Sequence, residues 1–186
     1  MPLTPESSKP LSGLILAASP AMLDPNFNQS LVYVAEHNAK GALGLIMNRP
    51  LGRKLGEVAR SPDLPAAVLE LPVFLGGPVQ RTGLLFAIFR RGATDEEVRC
   101  ELNPDPLALA ELPEGKDCWV RAILGYAGWG GGQLEGELQQ NAWTICPPHT
   151  VLLDESCAPN LWRVFISDDQ RWRRLLPLLP QDPELN

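Results

Sequence analysis

With 186 residues, the chain is long enough to bury roughly 70% of the surface that its unfolded form exposes, so it needs neither a structural metal nor a disulfide to fold. Its formal net charge of −6 argues against a sequence-independent grip on phosphate backbones or anionic membranes, and direct DNA binding is not expected. The 19 prolines predict interrupted elements and irregular connections rather than long helices.

Residues 1–11, MPLTPESSKPL, carry three prolines and no periodicity, and are expected to form a flexible arm. Residues 12–176 are expected to form a single domain. Its first strand is Gly13–Ala18, stopped by Ser19-Pro20, because proline cannot continue a ladder. The turn-rich loop MLDPNFNQS comes next. Leu31–Glu36 and Ala42–Met47, joined by HNAKG, read as a hairpin. All three runs are apolar at odd and even positions alike, which predicts strands covered on both faces.

After Pro50, LGRKLGEVARS reads as one amphipathic turn and a half, with Leu55 and Val58 inward. Val73–Leu75 enters the tight turn GGPV, Gly76–Val79, and Leu84–Phe89 is the next strand. Glu97–Leu102 alternates charged with apolar residues, as an edge strand does, and Asn103-Pro104 opens a short helix through Leu112. Cys118–Leu124 is a strand feeding a glycine-dense loop that holds Gly125, Gly128, Gly130, Gly131 and Gly132. There the backbone can take positive φ and approach a ligand closely. Gly132–Gln140 is the helix after it, Ala142–Cys146 a returning strand, and Asn160–Phe165 helical in period. Asp168 is placed to cap a final helix carrying Arg171, Trp172, Leu175 and Leu176. The acidic, proline-rich residues 177–186 are expected to be disordered.

Two of these stretches, GLILAASPAMLDPNFNQSLVYVAEHNAKGALGLIMNRP (Gly13–Pro50) and GYAGWGGGQLEGELQQNAWTICPP (Gly125–Pro148), resemble the N- and C-terminal signatures of the AlgH (YqgE) family of small bacterial and plastid proteins. The GGPV turn is shared as well. The likeness fades in the tail from Trp162 onward. The resemblance implies an α+β domain with a mixed, strongly curved sheet approaching a barrel and a few short covering helices. The family's name links it to regulation of alginate synthesis, which implies a regulator. The acidic charge and missing helix-turn-helix pattern argue against direct operator binding.

Cys100, Cys118, Cys146 and Cys157 lack C-x-x-C spacing and read as reduced thiols, which places the chain in the cytoplasm or plastid stroma. No signal peptide is expected, and no run reaches the ~20 apolar residues that span a bilayer. Cys146 and His149 are spaced C-x-x-H, but a zinc site needs about four ligands, and no metal or cofactor is expected.

His37, with Asp24 or Glu36 as orienting carboxylate and Ser19 or Ser30 as nucleophile, follows the logic of an acyl-transfer triad. No serine lies in a G-x-S-x-G turn, and a histidine beside Asn38 in a tight turn is more often a structural hydrogen-bond partner. Arg49 suits a carboxylate or phosphate, or else locks the loops through Asp24 or Glu36. The Gly76-Gly77 turn and the GWGGG segment offer backbone amides to an anion. Trp129 is either a loop-borne anchor for a partner or a cap on the open end of the sheet, and Gln133 and Glu135 are expected to present polar groups to the same place, though the charge of Glu135 also suits a helix N-terminus. Arg163, Arg171, Arg173 and Arg174, with Trp162 and Trp172, form a basic and aromatic cluster, read as an RNA contact or a charged helix face.

The leading expectation is a non-enzymatic, soluble regulatory or interaction protein. It would use a loop surface near Asp24, Glu36, His37, Asn48, Arg49, Gly76, Gly77, Trp129 and Gln133 to hold a small anionic ligand or a protein partner. The alternative is a hydrolase or transferase with His37 as base and Arg49 as anion holder. A homo-oligomer is compatible with either.

Overall fold

The computed structural model describes residues 10–59, 63–112, 117–154 and 160–167. The strands are β1 (Ile15–Ala18), β2 (Leu31–Asn38), β3 (Gly41–Ile46), β4 (Pro50–Lys54), β5 (Pro72–Leu75), β6 (Val79–Arg91), β7 (Val98–Leu102), β8 (Cys118–Gly130) and β9 (Trp143–Cys146). The helices are short: α1 (Leu55–Val58), α2 (Ala66–Leu69), α3 (Pro106–Leu109), α4 (Gln133–Gln139) and α5 (Leu161–Ile166), with a 3-10 turn at Thr150–Leu153. Together they make an α+β fold whose mixed sheet curls into a half-barrel.

One path through the sheet runs β4-β5-β8-β3-β2-β1-β9, and β6 and β7 branch from β8. β8 is the shared member. Its residues 118–126 pair antiparallel with β6, 122–124 pair parallel with β5, and 127–130 pair with β3. A strand that serves two sheets in succession must bend between them, and that bend curls the whole.

The two-sided apolar runs have a direct explanation in the packing. Ile15, Ala17, Leu31, Tyr33 and Leu45 face a concave core with Phe74, Phe89 and Ile123, closed by Leu152, Leu161, Trp162 and Phe165. Alternate residues, Leu16, Ala18, Val32, Val34 and Ile46, face outward onto Trp129, Leu134 and Trp143. A third cluster, Leu55, Val68, Val73, Phe86, Ile88, Leu109 and Ala122, lies beneath α1, α2 and α3. A strand covered on both faces has no polar side to alternate.

The β2–β3 hairpin closes on Ala39 and Lys40 and is interrupted by a register shift between Val34 and Glu36. The extra residue, Ala35, inverts the facing of the residues after it. His37 therefore reaches the outer layer with Val34 instead of the concave core. β7 pairs only with β6 among the described residues, as expected of an edge strand. In α3, Asp105 is the N-cap, its Oδ1 accepting from Leu107 N at 2.9 Å, with Pro106 in the first turn.

Several expectations change, among them the helix expected from Asn103-Pro104 through Leu112, which is confined to Pro106–Leu109. The segment after Pro50 is a strand, β4, before it becomes a single helical turn at Leu55. More consequentially, the glycine-dense stretch is strand as far as Gly130, the second half of β8, paired residue by residue with β3 from Gly41↔Gly130 to Gly44↔Ala127, and only Gly131 and Gly132 form a turn. A glycine on the partner strand makes room for Trp129: a Cβ on Gly44 of β3 would stand 2.5 Å from Val32 and 3.0 Å from the Trp129 ring. The final helix expected after Asp168 and the tail 177–186 lie outside the described residues, as do residues 1–9. Leu11, assigned by sequence to the arm, packs against the outer core.

Candidate functional site

The candidate site residues fall into two groups at opposite ends of β3. The first is built around the loop between β1 and β2. Asp24 Oδ1 accepts from Asn26 N at 2.8 Å, fixing a side-chain-closed turn. Arg49, just beyond β3, donates from Nη1 to Asn26 O (2.6 Å) and from Nη2 to Asn28 O (3.0 Å) and Pro25 O (3.4 Å). Arg49 thus locks the loop through carbonyls, not through a carboxylate of Asp24 or Glu36. Asn48 is buried: its Oδ1 accepts from Leu31 N and its Nδ2 donates to Gln29 O, both at 2.9 Å. That amide holds the start of β2 and faces no open space.

The turn Gly76-Gly77 enters β6 and lies backbone against backbone on β8. Gly76 N donates to Leu124 O at 2.8 Å, and a Cβ on Gly77 would sit 2.2 Å from Tyr126 C. The turn delivers Arg81 to the loop, where its Nη2 donates to Asn26 Oδ1. Between these parts lies a cleft of about 420 Å³ lined by Pro25, Asn26, Ile46, Arg49, Leu75, Gly77, Pro78, Arg81 and Leu124. Two guanidiniums therefore share one concavity. Partial burial holds Arg49 below its usual range, the charge of Arg81 pushes the same way, and Asp24 opposes them. Arg81 and Asn26 were not found from the sequence. The signal was weak, since only the β6–β8 pairing brings Arg81 beside Arg49.

The second group surrounds α4. His37 Nδ1 accepts from Leu11 N at 3.1 Å and its Nε2 lies 2.9 Å from Glu135 Oε1. Accepting at Nδ1 puts the neutral ring's proton on Nε2, which donates to Glu135. Glu135 is held below the usual carboxylate range by its own backbone N–H at the helix start and by His37. Trp129 is 6% exposed, which corrects its reading as an anchor on an exposed loop. Its Nε1 and that of Trp143 donate to Glu137 Oε2 at 2.9 and 2.7 Å. Gln133 accepts from Gly130 N and donates to Glu137 Oε1. Glu36 is exposed on the hairpin. The expected single loop surface is therefore split: Ala42, opposite His37, and Ile46, in the cleft, stand four residues apart on β3, roughly 13 Å.

Elsewhere, Arg121 is 2% exposed in the concave core, donating to Met47 O (3.2 Å) and Leu152 O (2.7 Å), with its guanidinium 3.8 Å from the Phe74 ring centre. By sequence it is one charged residue inside an apolar run, with nothing local to single it out. His149 Nδ1 accepts from Val151 N, capping the 3-10 turn. Among the described residues no group of three or more His, Cys, Asp or Glu is positioned to hold a metal ion. Trp162, grouped by sequence with the basic cluster, is buried and donates to Ala18 O at 2.8 Å, so its ring is not offered to a base. Arg171, Trp172, Arg173 and Arg174 lie outside the described residues.

An AlgH-like family model matches residues 15–180. The chain belongs to the AlgH-like family. A UPF0301 protein of Pseudomonas putida is 43% identical over 141 residues, covering 71% of this chain and 74% of its own. One from Stutzerimonas stutzeri is 39% identical over 150 residues, covering 74% and 77%. The solution structure of the AlgH protein from Pseudomonas aeruginosa superposes with a TM-score of 0.66 at 31% identity, covering 97% of this chain and 99% of that one. A crystal structure of a Corynebacterium diphtheriae protein, with a TM-score of 0.58 at 20% identity, shares the fold; it covers 93% of this chain and 89% of that one. The AlgH-like match runs past Trp162, so the family extends through the region where the sequence likeness fades. No helix among the described residues is long and apolar enough to cross a membrane.

Proposed function

We propose that this AlgH-like protein is a non-enzymatic cytoplasmic regulatory or interaction protein that works by holding a small anionic ligand in the cleft between Arg49 and Arg81. The observation carrying this reading is the pair of guanidiniums lining one concavity of about 420 Å³, within the size range of small-molecule sites. Among the described residues neither forms an ion pair, and an anion between them would relieve their mutual repulsion. The enzymatic alternative is less well supported. Its base, His37, spends both ring nitrogens on Leu11 and Glu135, and Arg49 is at the other end of β3.

Native mass spectrometry of the protein isolated gently from its source cells tests this reading. A stoichiometric extra mass that is absent from Arg81→Ala and retained in His37→Ala is the expected result. An extra mass lost in His37→Ala and kept in Arg81→Ala would move the site to the α4 end and revive the enzymatic reading.

A further inference from the structure

We propose that the cleft selects a phosphomonoester with an apolar body, an inference that rests on the anion-binding reading above and specifies its ligand class. Two features of the walls carry it.

The first is the form of the positive charge. Arg49 is immobilised by three loop carbonyls. Arg81 makes a single hydrogen bond among the described residues, to Asn26 Oδ1, and keeps most of its planar fork of donors. One fixed cation and one adjustable cation suit a group with three acceptor oxygens and a charge of about −1.5 to −2 at neutral pH, which is a phosphomonoester. A carboxylate is satisfied by one bidentate arginine and leaves the second uncompensated. Asp24, the nearby carboxylate, turns Oδ1 to Asn26 N, and it offsets the arginine charge only in part. Burial above all, and the charge of Arg81 second, lower the proton affinity of Arg49, and Asp24 offsets them only in part.

The second feature is the surface around the charge. Leu75 is a large apolar side chain left 42% exposed, and it forms a wall of this cleft with Leu124 and Pro78. Inorganic phosphate would leave that wall wet. A ring or short chain attached to the phosphate would cover it, and apolar burial next to a few fixed polar groups is how small-molecule sites combine affinity with orientation.

The experiment is a titration of the full-length ¹⁵N-labelled protein with phenyl phosphate, inorganic phosphate, benzoate and benzyl alcohol, following amide resonances of Asn26 and Gly77. Phenyl phosphate should shift both resonances and bind at least tenfold more tightly than any of the other three. Arg81→Ala should weaken phenyl phosphate tenfold or more. Leu75→Ser, at an already exposed position, should weaken phenyl phosphate several-fold and leave inorganic phosphate unchanged. If inorganic phosphate matched phenyl phosphate the apolar body would be overturned, and if benzoate matched it the dianionic head would be; in both cases anion binding at the cleft would stand. If no anion shifted either resonance, the anion-binding reading would fall together with the inference.

Discussion

His37 and Glu135, 98 residues apart in sequence, lie with Nε2 and Oε1 at 2.9 Å and join the end of β2 to the first turn of α4. The other ring nitrogen accepts from Leu11 N, so one imidazole ties together the chain before β1, the hairpin and the helix. His37→Ala should lower unfolding free energy by about 2–3 kcal/mol, from two hydrogen bonds and a buried ring. Chemical denaturation at pH 7 measures it. Because the Glu135 carboxyl is held below its ordinary value of 4.5 in the folded state, its contribution is fully present above that value and is lost as pH falls through the lower folded value. Glu135→Gln should therefore flatten the acid limb of a stability–pH curve.

Trp129 should behave as a core residue. Truncation to alanine removes a ring packed on Gly44, Phe27 and Trp143 together with its bond to Glu137. A loss of about 3–5 kcal/mol is expected. Trp129→Phe keeps most of the packing and should lose less than half of that. Thermal melts of both variants give the comparison, and an unchanged melting temperature for the alanine variant would contradict the burial.

Gly77→Ala should destabilise by at least about 3 kcal/mol, at the upper end of overpacking effects. The added Cβ would meet Tyr126 C at 2.2 Å and Tyr126 O at 2.3 Å, and backbone atoms of a paired strand cannot step aside. Gly52→Ala is the control, since a Cβ there meets nothing within 4 Å and only the positive φ opposes it. Gly77 also has a positive φ of 155°, so a urea series on the two variants compares backbone strain alone with strain plus contact.

The thiols of Cys100 and Cys146 should be inert. Burial pushes Cys100 up to about 12, helped by the Glu101 charge, and Cys146 up to about 11. At pH 8 each is thiolate on the order of one part in a thousand or less. Alkylation with mass detection should leave both unmodified in the native protein and label both once denaturant is added. Labelling of either in the native state would show that its strand opens.

Residue patterns alone determined much of the fold: the two-sided strands β1, β2 and β3, their hairpin, the GGPV turn, the edge character of β7 and the helix ahead of β9. Each depends on neighbours in sequence, through alternation, proline and glycine punctuation, or capping. The long motifs around Gly13–Pro50 and Gly125–Pro148 also carried the family resemblance.

Only the tertiary structure decided the relations between distant segments. Glycine density around Trp129 reads locally as a loop, because glycine has low strand propensity and admits many backbone conformations. Pairing with β3, whose own glycines leave room for the Trp129 ring, makes that stretch a strand and buries the tryptophan. Ala35 as a bulge is invisible in a run of apolar residues, yet it aims His37 at Glu135. Arg121 sits in an apolar run and finds carbonyls from two remote segments. Arg81 becomes the neighbour of Arg49 only when β6 pairs with β8 and the loop closes over both. Local sequence specifies backbone preference and which faces are apolar. The approach of one charge to another across a curved sheet depends on register and bend, which no single segment encodes.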